Sequence, residues 1–197
     1  MSHFTGTLIG SLLVAGWGFM VGLNIVIREL RWEDMEPVVS NYYSYFDELA
    51  ENPWLGILVS GAKPTISEEA KWFADLYTSI LDGDSVAYVT VVDGSLVGLC
   101  DVRRRSKRSE LSHIGVLGIS VRKGYRGMGV GEALIRRTLD ACRRKFEVVT
   151  LAVFSNNTAA KRLYEKVGFK IYGRLPRGIK RGGEYVDEEL MYITLQH

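Results

Sequence analysis

The sequence predicts an α+β domain built on one central, mixed but mostly antiparallel sheet flanked by helices. Three observations lead there. The 197 residues suit one well-cored domain and are short for two. Runs rich in β-branched residues are interspersed with stretches of helical spacing. Three of those runs, at 86–92, 96–102 and 111–121, follow one another with no helix between them, which argues against a doubly wound parallel sheet.

Each element has a local reason. Residues 25–30 read Ile-Val-Ile-Arg-Glu-Leu, a short β-branched strand. Trp32 to Glu36 opens a helix whose acidic residues suit its N-terminus. Asn52-Pro53-Trp54 and Gly61-Ala62-Lys63-Pro64 break the chain, and Thr65 with Glu68 makes a capping box. Ala70, Phe73, Leu76, Tyr77, Ile80 and Leu81 then recur at helical spacing. Asp93-Gly94 is a two-residue hairpin turn between strands 86–92 and 96–102. A third strand, 111–121, follows. A helix is expected over 130–146, a strand over 148–153 and a helix over 158–167. Strands at 169–172 and 185–195 close the chain, with a loop at 174–183 between them. No internal repeat, linker or low-complexity segment intervenes.

Composition narrows the class. Apolar residues make up 47% and charged residues 24%, so disorder and fibrous repeats are excluded. Lysine plus arginine is 25 against 23 for aspartate plus glutamate, a net charge of +2, which signals no general affinity for polyanions. Cys100 and Cys142 cannot form a disulfide framework. With His3, His113 and His197 they give no zinc spacing, so no metal is expected. A cytoplasmic location is expected. The basic run at 103–108 lies between two strands without interleaved aromatics, so it reads as a solvated hairpin turn and no nucleic-acid partner is expected.

The chain divides into an apolar extension, 1–24, and one domain, 25–197. No Lys, Arg, Asp or Glu precedes Arg28. A membrane anchor needs about 20 apolar residues, and a secretory signal wants a positive start; neither is met cleanly. The extension is expected to be an appended tail, or a start assigned too early with Met20 as the true first residue.

The informative stretch begins at Ile119-Ser120-Val121, the end of a strand. Arg126-Gly127-Met128-Gly129-Val130-Gly131 then runs into a helix. Alternating glycines allow close backbone approach, and a helix N-terminus favours an anion. The residues therefore predict a phosphate or pyrophosphate cradle. It is not a Rossmann fingerprint, because Glu132 stands where the third glycine belongs, and it lacks the Gly-Lys-Ser/Thr of a P-loop.

Residues 126–131 match the R/Q-x-x-G-x-G/A motif of the GNAT acetyltransferases. Asn157-Thr158-Ala159-Ala160-Lys161-Arg162-Leu163-Tyr164, followed by Gly168-Phe169, is similar to that family's N-x-x-A-x-x-L-Y-x-x-x-G-F segment. The resemblance is strong over 113–169, rests on element order from 25 to 195 and does not reach 1–24. It implies acetyl-CoA as co-substrate and a primary amine, of a small molecule or peptide N-terminus, as acceptor. It implies that Ile119 and Val121 offer backbone groups to the acetyl and pantetheine portions. Arg126, Gly127, Met128, Gly129, Val130 and Gly131 would hold the pyrophosphate. Asn157 would meet the pantetheine, where two parallel strands splay apart, and Tyr164 would protonate the leaving thiolate. Asn157 also reads as a helix cap, and Tyr164 as a packed aromatic.

The family often places a glutamate on the strand before the glycine loop. Here that strand, 113–119, has no carboxylate. His113, Glu184, Asp187, Glu188, Glu189 and a water chain remain as candidates, and no base is assigned. The acceptor pocket is expected from the 50–66 and 174–183 segments. A protein N-terminal acetyltransferase and a non-catalytic coenzyme- or partner-binding module are the alternatives, and a homodimer is left open.

Overall fold

The computed structural model describes residues 23–59 and 61–195. The expectations for the apolar extension, including Met20 as a start, lie outside the described residues, apart from 23 and 24. The elements are β1 (Ile25–Glu29), α1 (Met35–Glu51), α2 (Ile66–Leu81), β2 (Ser85–Val92), β3 (Ser95–Arg104), β4 (Ile114–Val121), α3 (Val130–Cys142), β5 (Val148–Phe154), α4 (Thr158–Val167), β6 (Lys170–Arg181) and β7 (Glu184–Thr194). They form one seven-stranded sheet in the order β1-β2-β3-β4-β5-β7-β6. Every pairing is antiparallel except β4 with β5.

Period-2 alternation divides the core between two faces of the sheet. Val86, Tyr88, Cys100 and Val102 face α3 and α4, packing with Leu134, Ile135, Phe146, Val149 and Tyr164. Ala87, Val89 and Leu99 face α1 and α2, packing with Val38, Phe73 and Leu76. With both faces covered, β2 and β3 read as near-continuous apolar runs. The start of α2 is set as its sequence demands: the Thr65 side chain accepts from the Glu68 N–H, and the Glu68 carboxylate accepts from the Thr65 N–H at 2.7 Å. Asp93 and Gly94 both take positive φ, 47° and 81°, the requirement of a tight hairpin turn.

Three boundaries differ from the sequence expectation. The strand expected over 111–121 starts at Ile114, after a short 3₁₀ turn at Ser109–Leu111. The helix expected over 130–146 stops at Cys142; Arg143, Arg144 and Lys145 turn outward, and Phe146 tucks back into the core at 1% exposure. The expected loop at 174–183 is largely strand, because β6 continues to Arg181. As an edge strand β6 needs only one partner, so it tolerates Gly173, Pro176 and Gly178 and two register irregularities against β7.

The basic run is more tied down than a solvated turn. Arg103 pairs with Asp101 and Arg104 with Asp84, at 2.7 and 2.8 Å; Lys107 also reaches Asp84, at 2.9 Å. Arg104 further donates to the Ser112 carbonyl and lies over the Phe146 ring.

Candidate active site

The parallel pairing of β4 with β5 is short. It runs from Ile114 opposite Val148 to Val116 opposite Thr150. Beyond it, 117–121 and 151–154 are not paired with each other, so the strands part like a wedge. A cavity of about 690 Å³ opens at that wedge. Its walls are the end of β4 at Ile119, Ser120 and Val121, the loop into α3 at Arg126, Gly127, Gly129 and Gly131, and the first turns of α4.

The glycine loop presents backbone to this cavity. Gly127 and Gly129 take φ of 75° and 83°, a region that side chains rarely adopt. Gly129 is the N-cap of α3 and carries no side chain that could bond the helix's first amides. Those amides and the helix dipole are therefore available to an anion. Arg162 and Lys166, one turn apart on α4, line the same cavity; Lys166 pairs there with Glu132 of α3 at 2.7 Å, so the added positive charge comes from Arg162. Met128 and Val130 do not line it: Met128 points to solvent and Val130 is buried in the core.

Arg126 is committed elsewhere. Its guanidinium makes a two-pronged ion pair with Glu48 of α1, and its Nε donates to the Val121 carbonyl at 2.6 Å. Two further contacts repeat the pattern: Arg122 Nε donates to Asn41 Oδ1 at 3.0 Å, and Lys123 reaches Glu51 at 2.5 Å. Asn41, Tyr45 and Glu48 fall on one stripe of α1 at spacings of four and three, with Glu51 three residues further on. The stripe straps the loop down, and the sequence offered no sign of it, because each contact joins residues some 70 to 80 positions apart.

Asn157 and Tyr164 sit on the opposite wall. The Asn157 side chain accepts from the Ala160 N–H at 3.1 Å, capping α4. Its amide nitrogen lies against Gly56, where any Cβ would collide with it. The 52–57 segment thus passes over Asn157 at a distance only glycine permits. Arg181, at the end of β6, holds that segment in place, donating to the carbonyls of Pro53, Leu55 and Ile57 at 2.5, 3.1 and 2.6 Å. Tyr164 lines the cavity, its ring edge-on to Phe169 with centroids 5.9 Å apart. Burial pushes its phenol well above the usual value, so the hydroxyl keeps its proton.

A second cavity, about 300 Å³, lies on the α1–α2 side of β4. It shares Tyr45, Ile57, Ile119 and Ser120 with the first. Val38, Tyr42, Trp72 and Leu99 give it apolar and aromatic walls, and Asp101 of β3 and Glu69 of α2 give it two carboxylates. Burial raises both carboxyls; for Asp101 the neighbouring Arg103 opposes the shift. No residue of 174–183 lines this cavity, so the expected acceptor segments reduce to the 50–66 stretch, through Ile57 and Leu58.

None of the side-chain base candidates drawn from the sequence lines either cavity. Glu189 pairs with Lys161 at 2.9 Å, and Asp187 with Arg174 at 2.7 Å. Glu184 accepts from the Trp54 indole at 3.2 Å. His113 stands at the far end of β4, its carbonyl accepting from the Glu147 amide at 2.9 Å. Glu188 lines neither cavity.

A family model described as the acetyltransferase (GNAT) family matches residues 27–169, well over half of the chain. The chain belongs to the GNAT acetyltransferase family. Among GNAT relatives, an L-amino acid N-acetyltransferase of Escherichia coli is 36% identical over 107 residues, covering 52% of this chain and 64% of that protein. An N-acetylaspartate synthetase of Rattus norvegicus is 34% identical over 90 residues, 45% of this chain and 29% of that protein. The chain thus spans less than two thirds of either curated relative. A Salmonella typhimurium structure solved with its cofactor acetyl-CoA superposes with a TM-score of 0.74 at 18% identity, over 87% of this chain and 94% of that one. At that identity the likeness speaks for the GNAT fold.

Proposed function

We propose that this GNAT domain transfers an acetyl group from acetyl-CoA to the primary amine of a small molecule. The observation that carries the reading is the wedge between β4 and β5, with the first-turn amides of α3 on one wall and a buried, protonated tyrosine of α4 on the other. That arrangement suits a long thioester whose phosphates and sulfur need opposite environments. The backbone of Gly127, Gly129 and Gly131 binds the pyrophosphate, with Arg162 supplying charge. Arg126 acts there as a strut between α1 and the loop. Ile119 and Val121 present backbone groups to the acetyl and pantetheine portions along the unpaired edge of β4. Asn157 shapes the pantetheine channel while capping α4.

The thioester lies where the two cavities meet, at Ile119 and Ser120. The first cavity holds the coenzyme and the second holds the amine. Tyr164 gives its proton to the departing thiolate. Burial raises the phenol, and the same low-dielectric surroundings raise the thiol, so donor and acceptor stay matched. Catalysis comes mainly from positioning the amine against the carbonyl. The relatives' names support an amino acid as acceptor, and a 300 Å³ cavity suits a molecule of that size better than a folded protein.

The test is direct. Calorimetry with acetyl-CoA is expected to show one site. Thiol release measured across the twenty L-amino acids and benzylamine is expected to single out one or a few acceptors. A folded chain that binds no acetyl-CoA, or releases no thiol with any amine, overturns the reading.

A further inference from the structure

We propose that Asp101 is the group that takes the proton from the incoming amine, reaching over Gly118 from the neighbouring strand. The inference rests on the acetyl-transfer reading above and assigns a residue within it.

The placement is geometric. Between His113 and Val121 the strand β4 carries no carboxylate. Asp101 of β3 is paired in register with Gly118 of β4. Asp101 Oδ1 stands 3.5 Å from the point a Cβ at Gly118 would occupy. The carboxylate therefore lies across from Gly118 at ordinary contact distance, beside β4. The next two residues, Ile119 and Ser120, line both cavities. Asp101 alternates with Leu99 onto the α1–α2 face, lines the second cavity, and has a side chain only 14% exposed.

Its surroundings suit the task. Oδ2 is taken by Arg103 Nε at 2.7 Å. Oδ1, the oxygen over Gly118, accepts no hydrogen bond among the described residues. The charged and titratable groups facing it are Arg103 on its own strand, Glu69 on α2, and Tyr42 and Tyr45 on α1. Arg122 donates to Asn41, which lines the same cavity. Glu69 makes the cavity more favourable to an ammonium, but it sits on the helix wall rather than beside β4. Burial keeps the Asp101 carboxyl above the ordinary range, which brings its proton affinity closer to that of an amine.

The protons balance. Asp101 Oδ1 takes one proton from the ammonium, freeing the nitrogen lone pair. That pair forms the C–N bond to the acetyl carbonyl carbon. The C–S bond breaks with its electrons on sulfur, and Tyr164 protonates the sulfur. The nitrogen's second proton passes to solvent, which restores Tyr164, and Asp101 returns its own proton to solvent. One proton is released per turnover.

The experiment compares the full chain with Asp101→Asn and Asp101→Glu, using acetyl-CoA and the best acceptor among the twenty L-amino acids and benzylamine. Because the carboxyl is raised, wild-type kcat should rise with pH along an acid limb. In Asp101→Asn that limb should vanish, and kcat at about pH 7 should fall roughly 10²-fold or more. The deficit should narrow toward about pH 9, where more of the amine enters already neutral. Acetyl-CoA affinity should stay near wild type, and Asp101→Glu should recover part of the turnover together with the limb. Near-wild-type turnover in Asp101→Asn with the limb intact overturns the inference and leaves acetyl transfer standing. So does a loss of acetyl-CoA affinity as large as the loss of turnover. A wild-type chain without acetyl-CoA binding overturns the functional reading and this inference with it.

Discussion

Tyr164 and Gly129 illustrate how single residues divide chemistry from binding. The Tyr164 ring packs on Phe169, and the residue lines the wedge cavity. Tyr164→Phe keeps the ring and removes the proton donor. Turnover should fall by roughly 10²–10⁴, the scale of general-acid catalysis, while acetyl-CoA affinity measured by calorimetry changes little. A purely packed tyrosine would leave kcat near normal. Gly129 works in the opposite sense. At φ 83° it caps α3 in a left-handed conformation, which costs another residue about 1–2 kcal/mol. Gly129→Val should therefore lower the melting temperature by a few degrees and swing the first-turn amides off the anion site. A roughly tenfold or larger rise in the acetyl-CoA dissociation constant is expected, about 1.4 kcal/mol or more.

Elements bring distant residues to the site, and here the sequence was least legible. The glycine loop and the 157–169 segment could be read directly because each is continuous in the chain. Asp101, Glu48 and Arg181 act across strands or between elements, so no local spacing announces them. The edge strand β6 was hidden for a different reason: one-sided pairing relaxes the demand for β-branched alternation. Its last residue, Arg181, ties the 53–57 segment to the β6–β7 hairpin through three carbonyls and lies over the Trp54 and Phe154 rings. Arg181→Ala should loosen this wall of both cavities. The KM for the amine should rise more than kcat falls, and proteases should cut between 52 and 65 faster. Equal proteolysis and an unchanged KM would show the clamp to be idle. A second tie joins β1 to the turn before α1. Burial pulls the Asp34 carboxyl upward, but two hydrogen bonds from Arg28, at 2.6 and 2.7 Å, and one from the Arg31 N–H outweigh it, leaving the group below its usual value. A depressed carboxyl stabilises the fold above the unfolded value, about 3.9, and that contribution is lost as pH falls through the lower folded value. Melting temperature should thus drop more steeply from about pH 5 to pH 3 in the wild type than in Asp34→Asn.

The molecule as a whole is a single sheet with a weak seam. To one side of the wedge stand β1 to β4 with α1 and α2; to the other stand β5 to β7. Only three residue pairs of parallel ladder join β4 to β5, and parallel pairing is slightly the weaker kind. Helix α3 bridges the seam from one face through Leu134, Ile135 and Leu139, which pack with residues of β2, β3, β5 and α4 in one cluster. A ligand lodged between the parted ends of the strands would touch both sides at once, through Ile119 and Val121 on β4 and Asn157 and Tyr164 on α4. Binding of acetyl-CoA to the folded chain alone must then stabilise it by mass action, about 2.7 kcal/mol at a hundredfold excess over the dissociation constant. For a domain of this size that is a rise of about 5–11 °C in melting temperature. The stabilisation should also have a location. Amides of 117–121 and 151–154, which lack partners across the wedge, should gain hydrogen-exchange protection with acetyl-CoA. Amides of β2, buried on both faces, should change little. A uniform gain across the sheet would mean that the coenzyme binds without filling the seam, and equal protection with adenosine diphosphate alone would mean that the phosphates, not the pantetheine arm, carry the effect.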